Sequence, residues 1–339
     1  MIPSIPSLET VHFPVMINEV IQTCQPIDGS LFVDCTFGGG GYTKEFLKFP
    51  GTKVIALDRD KSAKARAEII RKKNFKNFLF FNEKFSNLDK IINDKNKPDA
   101  IIFDLGLSTI QLQDYERGFS FKSLSKIDMQ MGLSFLSAEE VINTYDEKIL
   151  KLIIKILGDE KEASKIAKNI VKARGNKKIT RVTQLVEIIE KSKKKNYNKK
   201  INVCTKTFQA LRIFVNKETT ELIEGLIKAT KLIKDGGKIV VISFHSIEDK
   251  IVKYYFKNYS SSKSNPSRYL PSENSKKNIF FENYQNKFLV PSAEELIQNP
   301  ASRSAKLRYV IRRKQEFLYP DNFKSKFKKY LDLESLNNE

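Results

Sequence analysis

Short apolar runs alternate with amphipathic stretches through the first hundred residues of the chain. The apolar runs predict buried strands at residues 32–35, 54–58, 78–81 and 100–104. Helical spacing of apolar positions predicts helices between them, for example over residues 43–48 and 61–73. Strands and helices that alternate in this way predict an α/β fold with a parallel, doubly wound sheet.

The pattern changes after the fourth of these strands. From residue 114 to 216 the apolar positions recur at helical spacing. Candidate helices in this part are residues 138–143, 147–157, 160–173 and 182–193. A helix over 217–233, a stop at Gly236 and a buried strand over 238–244 then resume the first pattern. We therefore predict a discontinuous α/β domain, an all-helical insertion and a basic C-terminal tail, at residues 1–113 with 217–315, 114–216 and 316–339 respectively.

Four consecutive glycines, Gly38 to Gly41, follow the first strand and lead into a helix. Such a turn lets backbone approach a bound ligand with no side chain in the way. The second strand closes on Asp58, whose carboxylate is suited to accept hydrogen bonds from both hydroxyls of a ribose. The two features together predict a nucleoside-binding site.

The glycine turn also narrows the kind of nucleoside. It satisfies only part of G-x-G-x-x-G, because Thr43 stands at the last position, so a dinucleotide dehydrogenase is disfavoured. No Gly-Lys-Ser/Thr follows, which disfavours a P-loop. An S-adenosylmethionine site is what remains, with Asp34 receiving the methionyl ammonium, directly or through backbone and water, and Asp58 binding the ribose. The competing interpretation makes Asp34 and Asp58 surface acids at strand ends.

Composition adds a partner and a compartment. A formal net charge of +20 indicates a polyanionic partner such as nucleic acid, although most of the 60 basic residues are lysines and a compositional bias explains them equally well. The three cysteines show no C-x-x-C spacing, and no cluster of metal ligands is apparent, so we predict a reduced chain without a metal. The absence of a signal peptide and of a long apolar run predicts a cytoplasmic protein with no membrane association.

Several further strings occur in a specific order. Asp104 ends the fourth strand within 102–108, at the sheet edge where open α/β proteins place their reacting groups. The other strings are residues 116–121, 128–131, 207–216, 241–249 and 299–308. Together they closely resemble the MraW family of bacterial methyltransferases, which modify N4 of a decoding-centre cytidine in small-subunit ribosomal RNA.

The resemblance implies a class I S-adenosylmethionine-dependent methyltransferase fold, Rossmann-like, with an inserted helical domain for substrate recognition. It implies N4-methylation of cytidine 1402 of 16S rRNA, on assembled small ribosomal subunits. The cofactor contacts that it implies are Gly40, Gly41, Tyr42, Asp58, Phe85, Asp104 and Gln111. The chain departs from the family where Tyr42-Thr43 replaces His-Ser, where Lys206 replaces Arg, and where Gln130 and Gly132 replace Arg and Asp.

The chemistry requires that an aromatic amine become a nucleophile. We hypothesise that Asp104, assisted by Ser108 or a backbone carbonyl beside it, accepts the N4 hydrogen of the cytosine. The alternative is that Asp104 binds only the cofactor. His245 suggests a hydrolase triad with nearby serines and Asp249, but residues so close in sequence seldom adopt that geometry. We expect His245 and Glu248 to contact the substrate, with a purely structural turn as the alternative.

Basic residues within the same strings suit phosphate and ribose contacts. The predicted RNA-binding residues are Arg117, Lys206, Arg212, Arg303 and Arg308. Stacking on the target base is predicted for Phe119, Phe121 or Phe244, each of which also suits a core position. The predicted partner is 16S rRNA within the small subunit, and a homodimer is permitted. A noncatalytic RNA-binding or assembly factor on the same fold is the alternative function, and a methyltransferase acting on DNA or a small molecule is disfavoured by the absence of Asp-Pro-Pro-Tyr.

Overall fold

One six-stranded sheet organises the computed structural model, which describes residues 14–193, 202–261, 278–282 and 284–338. Residues 1–13, 194–201, 262–277, 283 and 339 lie outside these ranges. The strands β1 to β6 span Leu31–Asp34, Lys53–Leu57, Phe78–Phe81, Ala100–Asp104, Lys238–Ser243 and Lys306–Ile311. Their order is β3-β2-β1-β4-β5-β6; β1 to β5 are parallel and β6 is antiparallel to β5. The predicted mostly parallel sheet is confirmed, and β6 is an addition to it.

Fourteen α-helices accompany the sheet in the described residues. The helices α1 to α7 span Ile17–Cys24, Gly41–Phe46, Ala63–Lys73, Thr109–Gln113, Ala138–Thr144, Glu147–Gly158 and Ala163–Asn176. The helices α8 to α14 span Val182–Ser192, Thr205–Asn216, Glu218–Leu232, Ser246–Asn258, Ala293–Gln298, Asp321–Lys326 and Lys328–Ser335. Within the described part of the chain, no helix combines the length and apolar character needed to cross a membrane.

Both faces of the sheet are covered, as a parallel sheet requires. Successive residues of a strand point to opposite faces, so Phe32 and Ile102 join one apolar cluster while Val33 and Phe103 join the other. Phe32 is fully buried and stacks on Phe46 of α2 with 4.1 Å between ring centroids. Each buried side chain of this size contributes about 1.5–3 kcal/mol to folding. The runs of apolar residues that predicted the strands therefore reflect burial on two faces.

Helices occupy the long connection from β4 to β5. Leu150 of α6 and Phe214 of α9 are fully buried and belong to the same apolar cluster as Phe103 on the sheet. One continuous core thus joins the helices to a sheet face. The division into a discontinuous α/β domain and an insertion over residues 114–216 stays a prediction, because this shared core draws no boundary between them.

The chain after the sheet is folded rather than extended. Phe323 and Phe327 are almost fully buried, and Tyr330 and Leu333 are less than a tenth exposed. They hold α13 and α14 against the helices, where α14 contacts α6, α9 and α10. The predicted basic tail therefore forms two helices whose apolar side chains extend the core.

Candidate active site

A cavity lies at the carboxyl ends of the parallel strands, the edge at which open α/β sheets bind ligands. Loops after β1, β2, β4 and β5 form most of its wall, and the first turn of α10 completes it. Its lining includes Gly38, Gly39, Gly41, Tyr42, Asp58, Phe85, Asp104, Ser108, Gln111, Arg212, Glu218, Glu221, Phe244 and Glu248. Carboxylates, a side-chain amide and backbone N–H groups therefore line one cavity, together with apolar side chains.

The glycine turn after β1 has two physical reasons for its composition. Gly38 and Gly40 have φ of 51° and 75°, a left-handed conformation that favours glycine. A Cβ on Gly40 would lie 2.7 Å from Ile70, and one on Gly41 would lie 2.8 Å from Pro14. Gly40 is absent from the cavity lining. Packing within the protein therefore requires glycine at Gly40 and Gly41. Gly38, Gly39 and Gly41 present their backbone to the cavity.

Asp34 lies beneath this turn and outside the cavity lining. Its Oδ1 accepts from the backbone N–H of Thr36 at 3.2 Å, and its Oδ2 accepts from the Thr43 hydroxyl at 2.8 Å. Complete burial raises the pKa of Asp34 to about 6. These two bonds tie the end of β1 to the turn after it and to α2, and the ammonium contact of Asp34 stays a prediction.

Asp58 follows β2 and faces the cavity. Its Oδ2 accepts from the backbone N–H of Gly38 at 2.7 Å, and its Oδ1 accepts from that of Asp60 at 2.8 Å. Burial raises its pKa to about 6. A carboxylate has about four lone-pair positions, and these two bonds use only two of them. Asp58 is therefore fixed in orientation and retains acceptor capacity toward a diol.

Asp104 ends β4 and lines the cavity. Its Oδ1 is buried and has no hydrogen-bond partner among the described residues. Burial raises the pKa of Asp104 well above its ordinary value, and the nearby Asp34 adds to the effect. Buried polar atoms in folded proteins nearly always have partners. An oxygen left open at a cavity wall therefore fits a donor that arrives with a ligand.

The next loop holds Ser108 and Gln111 in a capping box at the start of α4. The Ser108 hydroxyl oxygen accepts from the backbone N–H of Gln111 at 3.2 Å, and the Gln111 Oε1 accepts from that of Ser108 at 3.0 Å. The Gln111 side-chain amide donates to Asp60 at 2.7 Å. Phe85 packs edge-on against Phe103, with ring centroids 5.3 Å apart. All of these contacts orient cavity-lining side chains before any ligand binds.

Charged residues of α9, α10 and α11 build the opposite part of the lining. Arg212 donates two hydrogen bonds of 2.8 Å to the carboxylate of Glu218. His245 caps α11 by accepting from the Glu248 backbone N–H, and its Nε2 lies 3.1 Å from Glu248 Oε1. Burial opposes the charge of Glu248, but His245 and Arg212 outweigh it and lower the pKa.

Glu218, His245 and Glu248 also bring potential metal-ligand atoms within 4.8 Å of one another, the one such group among the described residues. The Arg212 guanidinium is already bound to Glu218. Because the cluster holds its own cation, we assign it no metal role.

Comparison with known proteins identifies the class of this site. The model of the MraW methylase family matches residues 9–313. The chain belongs to the MraW methylase family. This membership, with the observed sheet order, confirms the resemblance, the class I methyltransferase fold and S-adenosylmethionine as cofactor.

Relatives cover the same region. A protein of Ehrlichia canis named Ribosomal RNA small subunit methyltransferase H is 40% identical over 306 residues, which are 89% of this chain and 100% of that protein. A protein of the same name from Orientia tsutsugamushi is 38% identical over 313 residues, 90% of this chain and 99% of that one. An rRNA methylase structure from Streptococcus thermophilus aligns with a TM-score of 0.38 at 11% identity, over 86% of this chain and 92% of that one.

Three of the arginines that were predicted to bind RNA form ion pairs with carboxylates of the protein itself. Arg117 pairs with Asp60 at 2.6 Å, and Arg212 is bound to Glu218 as described above. Arg308 is 3% exposed and donates to Asp249 at 2.7 Å. The carboxylate partners of Arg117 and Arg308 lie more than fifty residues away in the sequence, and that of Arg212 lies on the next helix. All three guanidiniums therefore form ion pairs within the protein, and their contacts to phosphate stay a prediction.

The two other predicted cations remain accessible. Lys206 keeps 42% of its side chain exposed, and its ammonium donates to the Asp159 carbonyl at 2.6 Å. Arg303 is exposed and forms no hydrogen bond or ion pair within the described ranges. Of the three aromatic candidates, only Phe244 lines the cavity; Phe119 lies under Arg117, and Phe121 packs on Phe208.

Sequence reasoning missed the part of the cavity lining that α10 supplies. Glu218 and Glu221 come from its first turn, and Glu221 lies 3.8 Å from Lys84 after β3. Neither residue follows a predicted strand, and both belong to an ordinary amphipathic helix. The only available signal was the family string that ends at Asn216, one turn before them.

Proposed function

We propose that this chain transfers a methyl group from S-adenosylmethionine to N4 of cytidine 1402 in 16S rRNA, within the assembled small subunit. The open carboxylate oxygen of Asp104 at the cavity wall carries the proposal, since the reaction needs a buried acceptor for one N4 hydrogen. Family membership supports the methyl transfer, and the relatives' name supports ribosomal RNA as substrate. The reaction places the enzyme in the cytoplasm.

The cofactor contacts proposed are those that line the cavity. Asp58 accepts the ribose hydroxyls, Phe85 supplies an apolar ring beside the nucleoside, and Gln111 offers an oriented amide group. The backbone of Gly38, Gly39 and Gly41 forms the turn against which the ligand lies. When bound, S-adenosylmethionine supplies an electrophilic methyl group on a positively charged sulfur. A positive charge near Asp104 favours its carboxylate form over the protonated form.

The residues around Asp104 then meet the chemical need of the acceptor. The N4 lone pair of cytosine is delocalised into the ring, and it becomes nucleophilic as the N4 hydrogen is drawn to an acceptor. Asp104 would accept that hydrogen, which leaves the N4 lone pair free to attack the methyl group that a bound S-adenosylmethionine would supply. Ser108 acts as a helix cap that fixes the loop after Asp104. Positioning of the two reactants accounts for most of the rate increase.

The target base is proposed to lie against the second half of the cavity. Phe244 and Glu248 line the cavity between β5 and α11, and His245, which is absent from the lining, caps α11 between them. The Glu248 carboxylate accepts from the backbone N–H of Phe244 at 2.8 Å, so the three residues form one rigid turn. Lys206 and Arg303, which are exposed, are the proposed contacts to the RNA backbone, and the helical segment 114–216 is the proposed recognition unit. A homodimer stays part of the proposal to be tested by solution mass.

Deletion of the gene, followed by mapping of cytidine methylation in 16S rRNA, tests the substrate assignment. The N4 methyl group on cytidine 1402 is expected to disappear and to return with the wild-type gene. Complementation with Asp104→Asn is expected to leave the methyl group absent. A methyl group that persists in the deletion strain overturns the assignment. A growth or assembly defect rescued by Asp104→Asn would favour the noncatalytic assembly factor.

Cofactor affinity is expected to fall below pH 6 because of Asp58. Its pKa in the folded chain is raised from 3.8 to about 6, so the carboxyl is ionised at pH 7 and mostly protonated at pH 5. A protonated carboxyl has less acceptor capacity for the ribose, and the dissociation constant of S-adenosylhomocysteine is expected to be about tenfold larger at pH 5 than at pH 7. Calorimetric titration at the two values measures this.

Asp58→Asn is the matched control, since it removes the titrating group. Its affinity is expected to be weak and nearly independent of pH over this range. An unchanged pH dependence in Asp58→Asn would assign the effect to another group. Fold stability has the opposite sign: a raised carboxyl pKa means that the folded chain binds protons more tightly, so Asp58 lowers stability as pH rises from about 4 to 6.

A further inference from the structure

The segment that follows the family region contacts the helix junction behind the active site. The MraW match ends at residue 313, and α14 lies beyond it, at Lys328–Ser335. We propose that Glu334 of α14 is a positioning residue for the reaction: by capping α10 it holds Glu218 and Arg212 in place at the cavity. This inference rests on the proposed function for its kinetic consequences.

The helix α10 lacks a cap from its own sequence. Lys217, the residue before its first turn, has φ of 51°, and a lysine side chain offers no acceptor to backbone N–H groups. Glu334 supplies the acceptor from 114 or more residues away: Oε1 accepts from the Thr219 N–H at 3.0 Å and Oε2 from the Thr220 N–H at 2.8 Å. The Thr220 hydroxyl also donates to Oε2 at 2.5 Å. A carboxylate at this helix end is stabilised by free N–H groups and by the helix dipole.

The same segment satisfies the end of the preceding helix. The Asn337 side-chain amide donates to the carbonyls of Phe214 and Val215, at 2.8 and 3.0 Å, in the last turn of α9. Glu334 and Asn337 thus bind the two helix ends that meet at Lys217. Glu334 is fully buried at this junction, and its burial raises the pKa of the carboxyl to about 7. The chain therefore fixes this junction from both sides.

The junction positions active-site groups directly. Arg212 is in the last turns of α9, Glu218 is the first residue of α10, and both line the cavity. Asn216 links the junction to the loop after α4 by accepting from the Met131 N–H at 2.8 Å and the Ser134 hydroxyl at 2.7 Å. Loss of the cap at Thr219 would free the turn that carries Glu218. The expected consequence is that this part of the cavity wall no longer positions the target base for attack on the methyl group.

Three variants test the proposal. Glu334→Gln keeps the side-chain volume and one acceptor oxygen, and Glu334→Ala removes both acceptors. Asp332→Asn is the control, because Asp332 lies on the same helix with 60% of its side chain exposed and pairs with Lys328. The measurements are kcat and KM for undermethylated small subunits, the dissociation constant of S-adenosylhomocysteine, and hydrogen exchange of the amides at residues 218–222.

The expected result separates positioning from loss of fold. In Glu334→Ala, exchange at residues 218–222 rises at least tenfold and kcat/KM for the subunit falls about tenfold, while cofactor affinity stays within twofold. Glu334→Gln is expected to be intermediate, and Asp332→Asn unchanged. Wild-type exchange and kinetics in folded Glu334→Ala or Glu334→Gln overturn the proposal. So does a loss of cofactor affinity and kcat in proportion to the unfolded fraction.

Hydrogen exchange keeps this test independent of the substrate assignment. If the proposed function fails, the wild-type enzyme shows no methyl transfer to the subunit, yet the exchange difference between Glu334→Ala and wild type persists. If only the capping role fails, the wild-type enzyme is active and the exchange rates of residues 218–222 do not differ. The two failures therefore give different data.

Discussion

Asp104→Asn is expected to lower the single-turnover rate of methyl transfer by about 10²–10⁴-fold, the range typical for loss of a positioned proton acceptor. The substitution keeps size and shape but leaves an amide that accepts no proton. Affinity for S-adenosylhomocysteine is expected to stay within threefold, because the proposed cofactor contacts at Asp58, Phe85 and the glycine turn are unchanged. Rapid-quench assays on undermethylated small subunits and calorimetric titration measure the two quantities separately.

Asp99→Asn provides the matched control for this experiment. Asp99 precedes the same strand at its other end, where it accepts from the Leu31 N–H at 2.8 Å, and it is absent from the cavity lining. Its rate is expected to change less than twofold. A parallel loss of cofactor affinity and rate in Asp104→Asn would show that Asp104 only binds the cofactor, which is the alternative that the sequence left open.

The strand-end residues show what the sequence made predictable. The five predicted strands lie within one residue of β1 to β5, since a strand buried on both faces is a continuous apolar run. Parallel topology then brings the residues that follow β2 and end β4 to one edge, so Asp58 and Asp104 were predictable cavity residues. In a parallel sheet, the local pattern that predicts a strand also predicts which of its residues lies at the ligand-binding edge.

Other features depended on partners that no local pattern specifies. Arg212 and Arg308 were predicted to contact RNA because their strings combine a cation with Ser, Thr or Asn, but the fold places Glu218 and Asp249 against them. Gly40 read as a ligand contact, whereas its missing Cβ makes room for Ile70. The roles of these residues follow from tertiary contacts, which only the structure provides.

The C-terminal segment shows the same limit in a different way. The sequence predicted only a basic tail over residues 316–339, with no helix assigned to it. A few apolar residues, among them Phe323, Phe327 and Leu333, are nevertheless buried against α10 and α11 or their neighbours. Their spacing is too sparse to give a strong helical pattern. These side chains are buried only because other parts of the chain pack against them.

Arg212→Leu is expected to lower the free energy of unfolding by about 3–5 kcal/mol, because it leaves the Glu218 carboxylate without its partner where only 13% of that side chain is exposed. The double variant Arg212→Leu/Glu218→Leu is expected to recover at least half of this loss, since no unpaired charge is then buried. Denaturant unfolding of the single and double variants measures both values.

Salt dependence distinguishes this internal ion pair from an RNA contact. A cation that binds a phosphate contributes about one unit to the slope of log affinity against log salt concentration. The double variant Arg212→Leu/Glu218→Leu removes this cation together with its partner and is expected to leave the slope for small-subunit binding unchanged. Arg303→Ala, which removes an exposed cation, is expected to reduce the slope by about one. A slope reduced by about one in the double leucine variant, together with equal stability losses in the single and double leucine variants, would return Arg212 to the RNA interface. The buried pair with Glu218 predicts the opposite, because a guanidinium that is bound on two nitrogens inside the protein releases no counterion from RNA.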